Sequence, residues 1–466
     1  MARASIAAEK IGVPAVAIGC PGFPFQMSRI AAGAGYPDLR TVEYPMPISL
    51  HSYEEMKETL IRQTVPAILE KLTKPVKSTT GKKRRREPAD RDIVFRGTYE
   101  EVQDYFLDRK WGDGLPIVPP TLEKVEEFLR FTDRSPDEVL GIVEPSMNAC
   151  TVWKVAVNGV MAGCRPEYMP VLVAVAEVIS DPEYSVKDSG ATPGWEAIIT
   201  LNGPIRDQLG FNYKLGHQRP GCQPNVSVGR FYRLIVNNIA GFKLGSTDMS
   251  THGQMFRAVA PENDQVCEEI GWKTMAEEQG FAKGENVVSI TSGRAMSEPV
   301  QTFGDKAEQH LDYLTDRLAG LIEPYECMRR YVETHVLFMT PVVARLLASQ
   351  GYDKTSVSDY IRSHAKVTAE YFETNSSRFN NWTPYSLKEA VEKGELPQEW
   401  HLSDDPKRLV PLMSPYARVV TIIVGDLTRN RNQLFRENYT QGKLTSKKID
   451  LPANWDDLLA EQKGRR

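Results

Sequence analysis

The feature that most constrains the fold is the order of patterns at the N-terminus. An Ala-rich helical stretch closes at Glu9 and Lys10, Gly12 supplies a stop, and Val13 to Ile18 is a short apolar run. Helix, turn and buried strand is the arrangement of a parallel α/β unit. The first helix of such a unit normally crosses over from an earlier strand, and parallel strands need neighbours on both sides. The expectation is that residues 1–75 are a partial α/β domain whose other half lies on a second polypeptide. A small subdomain that simply begins with a helix is the plainer alternative.

The remaining 391 positions of the 466-residue chain leave room for at least one large domain. Charged residues make up 25% and the net charge is −4, so nothing global points to nucleic acid. No apolar run is long enough to span a bilayer and no signal-peptide pattern is present, which makes a cytoplasmic location the default expectation. Six cysteines (Cys20, Cys150, Cys164, Cys222, Cys267 and Cys327) form no C-x-x-C pair, which argues against a disulfide framework, a zinc ribbon or a ferredoxin-type cluster. Residues 76–92, with five consecutive basic residues at Lys82 to Arg86 and no apolar periodicity, read as a flexible linker or surface arm. Residues 93–466 then form the large domain.

Before the linker, Ser52 or His51 starts a predicted helix over 53–72, with Met56, Leu60, Ile61, Val65, Ile68 and Leu69 on one face. After it, helices are expected at 99–109, 122–131, 153–161, 166–180 and 228–239. Strands are expected at 197–202, 287–291 and 417–424, and helical patterns dominate 305–372. The class is mixed α/β to α+β, with a helix-rich C-terminal part.

Three segments carry the chemistry expected from the residues. Cys164 lies just before Pro166, a helix-starting proline, where amide groups and the helix dipole would favour a thiolate, with Arg165 alongside. Such a cysteine could be a nucleophile, a redox thiol or a soft metal ligand; close packing is the competing reading. Glu144 follows an apolar run at a strand end, where it could move protons, and Asp113 stands at the tip of a turn-rich loop. Ser227 is a candidate N-cap, so that its helix amides, Arg230 and Asn225 would form an anion site for a carboxylate or phosphate substrate. Thr251 and Gln254, in the polar loop 248–255, would line the same cleft. His217, Cys222 and His252 together could hold zinc or copper, although H-x₄-C is not a strong spacing.

Several runs resemble one family. GDGLPIVPPT (112–121), VWKVAVNGVMAGCRPEYMPV (152–171), LNGPI (201–205), NVSVGR (225–230) and STHGQ (250–254) look like the large domain of the UGSC-type (seleno)proteins, a family loosely described as thioredoxin-like. EKIGVPAV (9–16), GYPDLR (35–40) and YPMP (44–47) resemble the second half of that family's smaller domain. The signature itself, selenocysteine or cysteine followed by Gly-Ser-Cys, is absent here. Cys20, in GCPGFP, is not a substitute for it, and the family's glycine-rich strand end is altered to VGDLTR at 424–429. The resemblance implies thiol or redox chemistry on a small molecule, with the missing motif supplied by a small partner subunit. A non-catalytic scaffold that positions such a partner, or a metal-dependent lyase or hydrolase, are the alternatives.

Overall fold

The computed structural model describes residues 1–75, 88–254, 258–322, 334–379, 386–437 and 443–465. The basic run Lys82 to Arg86, Cys327 and much of the expected linker lie outside the described residues.

The N-terminal unit is a βαβ crossover. Strands β1 (Val16–Gly19) and β2 (Arg40–Glu43) pair in parallel, Val16 opposite Arg40, and the Phe23–Gly33 helix connects them. The Ala2–Lys10 helix packs beside it, and Ala2, Ala17 and Met27 form a small core. The long helix that follows begins at Ser52, whose side chain accepts from the Glu55 amide in a capping box. It is not continuous: a π turn at Leu60–Thr64 separates Tyr53–Thr59 from Val65–Thr73. The widened turn shifts the register of all that follows. The single apolar face expected from the sequence is therefore split. Met56, Leu60 and Ile68 turn partly inward, whereas Ile61, Val65 and Leu69 stay exposed at 61%, 42% and 56%.

In the large domain, β3 (Val139–Val143) and β4 (Asn148–Thr151) make an antiparallel hairpin. A mixed seven-stranded sheet follows, built from β5 (Glu196–Asn202), β6 (Ala258–Val259), β7 (Val287–Met296) and β8 (Thr334–Met339). A separate antiparallel pair, β9 (Lys366–Thr368) and β10 (Leu409–Pro411), interrupts it in the chain. The sheet is completed by β11 (Arg418–Ile423), β12 (Gln433–Glu437) and β13 (Thr445–Lys448), in the order β11-β8-β12-β7-β5-β6 with β13 also on β7. β8 was hidden by the helical patterns expected over 305–372, yet its residues are fully buried and pair with strands on both sides.

The sheet curls until its ends meet. The Asn263 amide, just beyond β6, donates to the Ile423 carbonyl at 2.7 Å, and the Ile423 amide donates to the Glu262 carboxylate at 3.1 Å. Ile198, Ala260, Val336, Phe338, Ile422 and Phe435 fill the inside of the curl. Outside, the Val152–Met161, Met169–Ser180 and Gln223–Asn238 helices cover Ala197, Ile199 and Leu201. The Ala307–Ala319, Pro341–Ser349 and Lys354–His364 helices cover Leu337, Val419 and Ile423.

Candidate functional site

Four of the expected site residues do come together, around the start of the Gln223–Asn238 helix, but not in the expected roles. That helix begins with Cys222 at its N-cap and Pro224 in the first turn, five residues earlier than expected from Ser227. Ser227 is thus an interior helix residue. Its hydroxyl faces the thiol of Cys164, so it cannot present the helix's first amides to an anion. Arg230 is also committed. Its Nε and Nη2 donate to the Asp113 carboxylate at 3.0 and 2.8 Å, and Nη2 also reaches the Leu115 and Pro116 carbonyls. This bidentate pair fixes the 112–116 turn on the helix and commits the Nε and Nη2 edge of the guanidinium to the protein. Asp113 is accordingly a strut of this turn, not an exposed tip.

Cys164 sits one position before the residue that caps the Pro166–Tyr168 turn, as expected, but burial decides its chemistry. Its thiol is pushed up to about 12, desolvation outweighing the pull of the neighbouring Ser227 hydroxyl and of the Arg230 charge. A thiolate at neutral pH is therefore disfavoured here, which corrects the expectation of an activated nucleophile. Next to it, Tyr168 donates to Gln223, and Gln223 donates to the Gly163 carbonyl at 2.7 Å.

The other expected residues are dispersed. Asn225 is buried and pins backbone: its Oδ1 accepts from the Asn212 amide, and its Nδ2 donates to the Asn212 and Val259 carbonyls. Gln254 donates to the Arg294 carbonyl, and Thr251 is exposed, its amide bonded to Thr192. Glu144 does end a strand, but of the β3–β4 hairpin, not of a parallel sheet, so the strand-end argument for a ligand does not apply to it. His217, Cys222 and His252 do not form a metal site. No three His, Cys, Asp or Glu side chains converge among the described residues. The His217 ring packs edge-on against Phe338, and burial depresses its pKa to about 4. The Cys222 thiol faces the Gly210 carbonyl, and His252 is exposed.

A second region gathers around the junction of the N-terminal unit with the large domain, where Glu144 is the one catalytic candidate expected from the sequence. Arg3 pairs with Asp188 at 2.9 Å and donates to the Lys187 carbonyl, while Lys187 lies 3.7 Å from Glu144. Gln26 donates to the Thr247 carbonyl at 2.8 Å. Gly33 approaches the Pro145 carbonyl so closely that a Cβ there would lie 2.7 Å from it. The carboxyl end of β1, with Cys20 and the left-handed Gly22, faces Met249. Among the described cysteines, Cys20 and Cys222 are only partly buried, whereas Cys150, Cys164 and Cys267 are buried.

Residues 1–74 match the UGSC family. The match supports UGSC-type membership and covers the unit carrying β1, β2 and Cys20; the resembling runs from Gly112 to Arg294 lie beyond it. No curated protein and no solved structure matches the chain. Among the described residues, no helix is long and apolar enough to cross a membrane. The UGSC segment thus meets the 241–254 loop through its crossover helix, at Thr247, and through the turn after β1, at Met249.

Proposed function

We propose that the chain is a subunit of a hetero-oligomeric enzyme carrying out thiol- or redox-based chemistry on a small substrate, with a partner polypeptide supplying a Cys-Gly-Ser-Cys type motif. The observation that carries this reading is the state of the UGSC segment. Its sheet has two strands, both parallel, and such sheets are ordinarily covered and extended on both sides. In the same segment Ile11, Val13, Ile61, Val65 and Leu69 are exposed, apolar side chains that a partner would cover.

The reaction site in this reading is the junction, not the surroundings of Cys164. Carboxyl ends of parallel strands are where α/β folds hold ligands. Here the turn that follows β1 and carries Cys20 meets Met249 through Gly22, Gln26 meets Thr247, and Glu144, Lys187 and Arg3 lie on the same junction. A redox titration of the assembled complex tests the reading. The partner's cysteine pair is expected to show a midpoint potential in the complex different from that of the partner alone. Equal midpoints would contradict an enzymatic role for this chain and favour the scaffold alternative.

A further inference from the structure

Lys243 is a half-buried amine in a built polar cradle. It follows the Gln223–Asn238 helix in the turn that also receives the UGSC segment, and its Nζ lies 2.6 Å from the Lys110 carbonyl and 3.1 Å from Asn238 Oδ1. Both acceptors are held in place by other groups. Asn238 Nδ2 donates to the Trp111 carbonyl and to Asn158 Oδ1, each at 2.9 Å, which leaves its Oδ1 to face the lysine. Lys110 adopts a left-handed backbone at φ 53°, rare for a residue with a side chain, and its carbonyl also accepts from Asn237 at 3.0 Å.

The surroundings of the amine are unusual in charge. Among the described residues Lys243 makes no ion pair with a carboxylate, and the charge that acts on it is that of the exposed Lys110. A buried lysine kept for stability is normally matched with an acid, as Lys354 is with Glu262. We propose that Lys243 is a nucleophilic amine that condenses with the carbonyl group of a small anionic aldehyde or keto compound, whose negative charge is met by Lys110. Burial first, and the Lys110 charge second, lower the Lys243 pKa from 10.5 to about 8, so that a useful fraction of free amine exists near neutrality.

The step balances without any redox partner. The amine lone pair attacks the carbonyl carbon, a proton passes from nitrogen to oxygen, and loss of water leaves an iminium; addition of water reverses it. The iminium carries a single N–H, which keeps one of the two contacts that held the ammonium, to the Lys110 carbonyl or to Asn238 Oδ1.

The test uses the full chain with glyoxylate and cyanoborohydride at about pH 7.5, followed by peptide mapping. Lys243 is expected to be trapped about ten-fold faster than exposed lysines such as Lys124, the gain in free amine being partly offset by its lower basicity. In Lys110→Met the rate is expected to fall several-fold more for glyoxylate than for neutral acetaldehyde. Trapping of Lys243 no faster than the exposed lysines would overturn the proposal. An equal fall for both aldehydes would overturn the role given to Lys110.

Discussion

Replacing Lys354 by methionine is expected to destabilise the curled sheet by about 3–5 kcal/mol, the range for removing one partner of a buried ion pair. Lys354 opens the Lys354–His364 helix, and its Nζ lies 2.6 Å from Glu262 Oε1, the two side chains being 3% and 0% exposed. Glu262 is the node that closes the curl. Its carboxylate also accepts from Asn202 Nδ2 at 3.0 Å, from the Met275 amide and from the Ile423 amide, so β5, β11 and two helices meet on one group. Arg206, 2% exposed, braces the same place from below through Asp264 at 3.1 Å and the Glu262 carbonyl. Without the ammonium, Glu262 keeps its other hydrogen bonds but loses the positive charge 2.6 Å away in a fully buried site. The double variant Glu262→Gln with Lys354→Met should recover part of the loss, because no unmatched charge then remains. The midpoint of denaturant unfolding at unchanged slope measures both. A shift in Lys354→Met worth less than about 1 kcal/mol would show that this pair does not hold the curl.

The same cluster predicts an unusual pH dependence. Glu278, whose carboxylate lies 3.8 Å from Lys354, is pushed up from 4.5 to about 7 because burial outweighs the attraction of the ammonium. Between those two values the folded chain holds a proton that the unfolded chain has released. Stability is therefore greatest on the acid side of that window and declines as pH rises through 7. Asp264, raised to about 6 by burial, acts in the same direction at lower pH. His217, lowered to about 4, acts in the opposite direction below 6.5. Comparison with Glu278→Gln isolates the first group. Relative to the parent, this variant is expected to gain about 2 kcal/mol between about pH 5 and about pH 8. Parallel stability curves would mean that Glu278 titrates as an ordinary surface acid.

What the sequence made legible follows from how local each signal is. The helix start at Ser52, the helix-starting Pro166, the strand expected at 197–202 and the stop at Gly12 depend on neighbouring residues, and all are present in the fold. The start of the Gln223–Asn238 helix was misplaced because Ser227 is the better N-cap type, yet Pro224 can occupy only the first turn. β8 lay among helical patterns because a strand buried on both faces has no alternation to reveal it.

The site was harder to read for a related reason. Cys164 stands where the sequence placed it, but desolvation, a property of the whole core around it, reverses the expected effect of the nearby helix start. Arg230 and Asp113 were both picked out, from segments more than a hundred residues apart; only the fold shows that they satisfy one another. Lys243 and Glu262 stand alone in their local sequence and gain meaning only from distant partners, Lys110 for one and Lys354 for the other.

The central claim, that this chain works as one part of a split enzyme, is tested most directly by native mass spectrometry of the protein purified from its own host, with peptide sequencing of whatever is bound. The account predicts a stoichiometric small polypeptide carrying a Cys-Gly-Ser-Cys type motif. A mass made up of this chain alone, in any number of copies, would contradict it.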